Sequence, residues 1–304
     1  MKIKACSPCR ILCHASFAGA CATLLVSRPA SAQNLFVANY TGNSITEITP
    51  GGTQSTFASG LGVAGLAFNS AGDLFVSGGV THGTVTEITP GGVHSIYASG
   101  MTDPIGLAFD RSGNLFVADN EAGSIYEITP GGTQSVFASG LATPSAVDGP
   151  YALAINASGD VFVTSPNTGT ITEITPGGVQ STFASGLGFT TALAFNNAGT
   201  LFEADYSGSI HEFAPDGAES TFFSGGFYPW GLAINSAGDV FEADYRNEIN
   251  EITPGGVETT VATGLSDPIG LAVEPVPEPS VLAILTVGLC CLFARPIVRL
   301  RRQT

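Results

Sequence analysis

Apolar residues in this 304-residue chain fall in runs of about five, separated by clusters of Gly, Pro, Asn, Asp and Ser. Such runs, rich in β-branched and aromatic residues and bounded by turn formers, predict short β-strands. Three lines of the pattern recur six times. The first is small-Leu-Ala-apolar: Gly65 to Phe68, Gly106 to Phe109, Ala152 to Ile155, Ala192 to Phe195, Gly231 to Ile234 and Gly270 to Val273. The second is apolar-Phe, at Phe36, Phe75, Phe116, Phe162, Phe202 and Phe241. The third is an acid just before a proline turn, at Glu47, Glu87, Glu127, Glu173, Glu212 and Glu251, spaced by 40, 40, 46, 39 and 39 residues. Turns such as Asn69-Ser70-Ala71-Gly72-Asp73 separate the first two lines. Gly-Gly or Asp-Gly after each proline supplies the positive-φ positions of tight hairpins. Each unit therefore predicts four antiparallel strands: a (Gly-Leu-Ala-Phe), b (Asn-Leu-Phe-Val-Ala-Asp), c (Ser-Ile-Tyr-Glu-Ile-Thr) and d (Gln-Ser-Val-Phe-Ala-Ser-Gly).

A period near 40 residues marks a propeller blade or a solenoid turn. The density of Gly, Pro and Thr excludes a helical solenoid. A β-helix stays open, although its rungs are usually shorter, and radial closure leaves few exposed sheet edges. The fold class is all-β, a six-bladed β-propeller of four-stranded antiparallel blades. Strand a, small and apolar, suits the crowded inner position. The copies begin with strand b at Asn34 and end with strand a at Val273, so Gly270 to Val273 is expected to complete the sheet begun by Leu35 to Val37 and close the ring. An insertion of about six residues falls in 142–150.

The run from Pro104 to Asp119, read as Pro-x-Gly-Leu-Ala-Phe-Asp-x-x-Gly-Asn-Leu-Phe-Val-Ala-Asp, resembles the NHL repeat of six-bladed propellers. The resemblance covers residues 33–274 and speaks to fold, since one fold serves many functions. Residues 1–32 have the form of a secretory signal: basic Lys2, Lys4 and Arg10, an apolar stretch from Ile11 to Val26, and Ala30-Ser31-Ala32 as the cleavage site. A lipoprotein reading through Cys21 lacks the usual preceding leucine. Residues 275–304 join Pro277-Glu278-Pro279, a short apolar stretch from Val281 to Ala294 expected as a helix, and Arg295, Arg299, Arg301 and Arg302. Read plainly, this is a short membrane anchor with a cytoplasmic basic end. Its order also resembles the PEP-CTERM sorting tail, which implies an exosortase-type enzyme as partner, processing near Glu278, transient membrane association through the tail, and a destination in the outer cell envelope or outside the cell. Four of the six cysteines lie in the signal and two in the tail, so the propeller has no disulfide and no thiol nucleophile.

Removing both ends sharpens the charge. The chain as a whole carries −15, but residues 33–274 hold 24 acidic residues and only Arg111 and Arg246 as bases, a net of −22 with no lysine. A nucleic acid is excluded as partner, because binding it needs basic patches that replace counterions. A divalent cation, a basic partner, or solubility alone would each account for the acidity.

In propellers of this type the b-to-c and d-to-a loops share the face where ligands usually bind. The b-to-c loops carry Asn39, Asp119, Asp205 and Asp244, with Tyr40, Tyr206, Tyr245 and Arg246; the d-to-a loops carry Asp103, Asp148, Asp267, Phe189, Phe227, Tyr228 and Trp230. The candidate mouth is Asp103, Asp119, Asp148, Asp205, Asp244, Tyr228 and Trp230. Such a set suits Ca²⁺ or another divalent cation through oxygen ligands, or sugar rings stacked on aromatic faces. No cofactor is required. The plainer reading is that each strand-b Asp accepts bonds from the backbone of its turn, that the strand-c Glu is an outer solvated row, and that Trp230 packs. Gluconolactonase-type propellers use Glu, Asn and Asp metal ligands, and streptogramin-lyase-like propellers use a His with metal; neither signature can be placed here. His94 and His211 fall far from the channel, leaving His82 on the ligand face. The chain reads as an exported, matrix- or envelope-associated module that binds a polysaccharide or protein without catalysis. The alternative is a divalent-metal-dependent lactonase or lyase.

Overall fold

Strand b is apolar at nearly every position because its two faces are both covered, one by the preceding blade and one by the following blade. In a computed structural model, which describes residues 33–78, 83–141 and 149–276, this arrangement generates six four-stranded antiparallel sheets around a central axis. Blade 1 contains β1 (Leu35–Asn39), β2 (Ser44–Ile48) and β3 (Gln54–Ser59). Blade 2 is β4 (Val63–Phe68), β5 (Leu74–Gly78), β6 (Thr84–Ile88) and β7 (His94–Ser99); blade 3 is β8 (Pro104–Phe109), β9 (Leu115–Asp119), β10 (Ser124–Ile128) and β11 (Gln134–Ser139). Blade 4 is β12 (Leu153–Ile155), β13 (Val161–Ser165), β14 (Thr170–Ile174) and β15 (Gln180–Ser185). Blade 5 is β16 (Thr190–Phe195), β17 (Leu201–Asp205), β18 (Ser209–Phe213) and β19 (Glu219–Ser224); blade 6 is β20 (Gly231–Ile234), β21 (Val240–Asp244), β22 (Glu248–Ile252) and β23 (Glu258–Ala262). The last strand, β24 (Pro268–Val273), is the inner strand of blade 1.

The ring closes as the repeat phase requires. β24 pairs antiparallel with β1, Leu35 opposite Val273 and Val37 opposite Leu271. The zipper extends beyond the strands: Glu274 N donates to Asn34 O at 2.9 Å and the Gln33 amide donates to Glu274 O at 2.6 Å. The signal at 1–32, the sorting motif Pro277, Glu278 and Pro279 with the rest of the tail, His82, and Asp148 with most of the insertion lie outside the described residues. Among the described residues no helix is long and apolar enough to cross a membrane.

Packing follows the two-residue alternation of the strand. Leu35 and Val37 pack with Ala243 and Ile249 of blade 6, while Phe36 and Ala38 pack with Leu74 and Val76 of blade 2. In five blades the strand-b Phe meets a strand-d aromatic edge-to-face, with ring centroids 4.8–5.0 Å apart at Phe75–Tyr97 and Phe162–Phe183, an arrangement worth about 0.5–1.5 kcal/mol beyond burial. Blade 6 has Val261 there instead. The strand-c Glu stands opposite the strand-b Phe in every blade, as in Phe36 with Glu47. These glutamates are half-buried, not the solvated row expected from the sequence, because each stands opposite the covered strand-b Phe. All six c–d pairs carry a register shift at the same place, as at Ile45/Thr46 and Ile249/Asn250; the bulge twists and blunts the exposed outer edge.

At the axis the inner strands approach until backbones touch. A Cβ added to Gly65 would collide with the carbonyl oxygen of Ile105, and one added to Gly270 with that of Ala64. The channel is thus narrow, about 110 Å³, and lined by strand-a residues.

One core position breaks the sixfold equivalence. The third residue of strand b is Val37, Val76, Val117 and Val163 in the first four blades, each essentially inaccessible to solvent, but Glu203 and Glu242 in blades 5 and 6. Glu203 is wholly buried and neither carboxyl oxygen has a hydrogen-bond partner. Burial, then the charges of Asp205 and Glu219, push its carboxyl from 4.5 up to about 8.

Two outcomes are expected. Gly270→Val should lower stability by roughly 2–4 kcal/mol through overpacking at the ring closure, read as a reduced denaturant midpoint. For Glu203, the unfolded chain ionises from about pH 4.5 while the fold holds the proton to about 8, so stability falls as pH rises through that window. Glu203→Val should flatten this slope and raise stability at pH 8 by on the order of 2–4 kcal/mol, with a much smaller gain at pH 5; an equal gain at both values would place the effect in packing and not in the charge.

Candidate functional site

The loops that leave strand b and those that enter strand a meet at one end of the ring because backbone bonds tie them together. Tyr40 N donates to Asp267 O, Asn120 N to Asp103 O and Tyr206 N to Phe189 O, each at 2.9 Å, and Tyr245 N to Phe227 O at 3.1 Å. One residue before each donor stands the polar end of strand b. Asp119 is fully buried and accepts from Thr102 N and Asp103 N, both at 2.8 Å, so it braces the d-to-a loop more than its own turn. Asp205 accepts from Ser207 N at 2.7 Å and Ser209 N at 3.3 Å, and from the Ser207 hydroxyl. Asp244 accepts from Arg246 N at 2.8 Å and Glu248 N at 3.3 Å, leaving its second oxygen buried without a partner; burial raises this carboxyl above the ordinary aspartate value despite those two bonds. Asn39 takes the same place in blade 1, accepting from Ser266 N at 3.3 Å and donating to the Thr46 hydroxyl at 2.9 Å.

Backbone bracing thus engages all three carboxylates. Among the described residues no three His, Cys, Asp or Glu side chains form a group able to hold a metal ion. Asp103, Tyr40 and Asp267 act on the phenol of Tyr151, which burial first and these neighbours next push up to about 12. His94 is exposed at the start of β7. His211 lies on β18, opposite Glu203, with Nε2 3.8 Å from Asp205 Oδ2 and Nδ1 3.3 Å from Glu219 Oε1.

The aromatic residues converge over blades 4 to 6. Tyr206 stacks on Tyr228 with centroids 4.3 Å apart and meets Trp230 at 5.6 Å and Phe189 at 5.9 Å. Phe227 lies 4.7 Å from Tyr228, Tyr245 follows at 6.2 Å, and the Arg246 guanidinium sits 4.4 Å over the Phe227 ring. Phe189, Phe227 and Tyr228 are each 37% exposed. Tyr228 adopts a left-handed backbone, φ 53°, uncommon for a residue with a large side chain. Trp230 is half-buried and lines the channel mouth with Tyr151 and Thr191. Its backbone N donates to Ala243 O at 2.8 Å, while its indole N–H has no partner. The Thr191 hydroxyl, 2.7 Å from Pro229 O, secures the peptide before it.

Sequence reasoning missed Tyr151, Thr191, Glu203 and Glu242. Tyr151 follows the insertion, where the repeat offers no template. The two glutamates were visible as departures from Val when Leu-Phe-Glu-Ala-Asp and Val-Phe-Glu-Ala-Asp are set beside the other copies. Glu242 is wholly buried, with Oε1 accepting from the Asn250 amide at 3.3 Å and Oε2 unpartnered.

No family model and no curated protein sequence matches the chain. Solved structures do match in shape. A chain of the nidogen/laminin complex superposes with a TM-score of 0.71 at 16% identity, covering 80% of this chain and 99% of that one. A streptogramin B lyase gives 0.62 at 16% identity over 81% and 88%, and a putative gluconolactonase 0.58 at 15% over 72% and 90%. A chain of the nidogen/laminin complex, a streptogramin B lyase and a putative gluconolactonase thus share this architecture with the chain, and at such identities the likeness is one of fold: a six-bladed β-propeller.

Proposed function

We propose that the chain is an exported, non-catalytic binding module of the outer cell envelope or extracellular matrix, and that it takes an uncharged polysaccharide on the aromatic face over blades 4 to 6. The observation that carries this reading is the set of ring contacts from Phe189 through Tyr206 to Tyr228, which in turn meets both Phe227 and Tyr245, partly open to solvent. Pyranose rings present apolar C–H faces that stack on such surfaces, and their hydroxyls require a few placed polar partners. Asp103 and Asp267 near the mouth are acceptors for them. A net charge of −22 over residues 33–274 disfavours anionic polymers. The signal at 1–32 and the tail with Pro277, Glu278 and Pro279 supply the address, with an exosortase-type enzyme as processing partner.

The metal-dependent lactonase or lyase reading draws on the fold shared with such enzymes and on the broken equivalence at Glu203 and Glu242. Binding of the full chain to a soluble neutral β-glucan, followed by calorimetry, separates the two. Tyr228→Ala and Trp230→Ala should each weaken binding about tenfold, roughly 1.4 kcal/mol, while Val93→Ser, in a c–d hairpin remote from the loops, should leave it unchanged. Equal affinity in all three variants would remove the aromatic face from consideration, and turnover of a lactone panel with added divalent metal would establish the enzyme instead.

A further inference from the structure

Five of the six d-to-a loops place a large apolar residue directly after their glycine: Leu61, Met101, Leu141, Leu187 and Leu265. In four of these, the side chain joins the same core cluster as the strand-b valine of the next blade, as Leu61 does with Val76 and Leu265 with Val37. Between blades 5 and 6 both partners change together. The loop has Gly226, and the valine is Glu242. The exchange is complementary in space: a Cβ on Gly226 would stand 3.0 Å from Oε2 and 3.1 Å from Oε1 of Glu242. The carboxyl group therefore occupies the seat that a leucine fills elsewhere.

This seat lies directly beneath the aromatic face. Gly226 precedes Phe227 and Tyr228, and its loop is tied down by Gly225 N and Gly226 N, both donating to Gly208 O, at 3.1 and 3.0 Å. Asn250, whose Oδ1 accepts from the Thr260 hydroxyl at 2.9 Å, is thereby oriented to donate from its amide to Glu242 Oε1. Oε2 has no donor. The charged groups around Glu242 are Asp244 and Arg246 at the end of its own strand and beyond it, and Glu258 on β23. Blade 5 presents Ala204, Ile210 and Phe223 toward the interface, and Glu212 shares the Ile210 face of β18 further from the mouth, where it accepts from Ser220. β20 contributes no titratable side chain, and the loop contributes only Tyr228.

We propose that Glu242 is the positioning residue of the ligand face: protonated, it seats Gly226 and so holds Phe227 and Tyr228 of the loop 225–230 in place; ionised, it is a buried charge with one oxygen unsatisfied that draws in water and lifts the loop. Burial is the leading influence on this carboxyl, ahead of the Asn250 bond that opposes it, and moves it from 4.5 to about 7. Ionisation in the fold therefore falls at neutrality, and ligand affinity declines as pH rises through it. The effect on ligand rests on the reading of this face as the binding face; the loop movement does not.

Trp230 lies on this loop and is the single tryptophan of the chain, so its fluorescence reports the loop directly. The full chain, titrated from pH 5 to 9, should show one emission change with a midpoint near 7. Glu242→Gln should abolish it, and Glu203→Gln should retain it. The double variant Gly226→Leu with Glu242→Val, which restores the apolar pair found at four of the other interfaces, should be insensitive to pH even where Glu242→Gln folds poorly. Affinity for the neutral β-glucan should fall about tenfold from pH 6 to pH 8 in the natural chain and stay level in Glu242→Gln. An emission midpoint that persists unchanged in both Glu242 variants would overturn the proposal. A Glu242-dependent emission change without glucan binding at any pH would uphold the latch and reject the polysaccharide.

Discussion

Everything in this molecule depends on strand b being covered on both faces. A lone four-stranded sheet of this length would expose two apolar faces and two edges. Six of them set face to face bury Leu35, Phe36, Val37, Ala38 and their equivalents almost completely. The arrangement works only if each blade has a neighbour on each side, and only a closed ring provides that for all six. Pairing of β24 with β1 is thus the condition on which the other five interfaces stand, and it joins residues more than 200 positions apart. The small residues of strand a follow from the same constraint, since the blades must converge to a channel only about 110 Å³ in volume.

Against this regularity, the departures concentrate in one sector. Blades 5 and 6 contain both buried glutamates, the loop glycine that replaces a leucine, and most of the exposed aromatic rings. Local rules are broken where a structure serves something besides its own stability. A buried carboxyl with an unsatisfied oxygen weakens the core. That of Glu242 lies against Gly226, next to Phe227 and Tyr228, and the strained φ of Tyr228 belongs to the same sector.

Three groups among the acidic residues of the domain have distinct physical roles. The strand-b acids Asp119, Asp205 and Asp244 are structural acceptors that secure loops at the mouth. The strand-c glutamates lie half-buried along the outer part of each blade and keep its surface charged. Glu203 and Glu242 belong to neither group, because burial keeps them from ionising in the ordinary acid range.

Three recurring lines, Gly-Leu-Ala-Phe, Leu-Phe-Val-Ala-Asp and Glu-Ile-Thr-Pro, made blade count, strand order and the closing strand legible before any coordinates, because each strand's alternation and each turn's glycine are local requirements repeated six times. The loops bearing Phe189, Tyr206, Tyr228 and Trp230 could likewise be assigned to one face. Their contacts could not, since stacking of Tyr206 on Tyr228 depends on how two blades are rotated against each other. The meaning of Glu203 and Glu242 was hidden for a related reason: a glutamate in strand b reads as a surface acid until the adjacent blade is seen to cover it. The chain by itself determined the repeating unit and its closure, which are set by short-range patterning; only the tertiary structure decided which carboxylates are braced, which are buried alone and which rings meet, because those outcomes are set by neighbours distant in sequence.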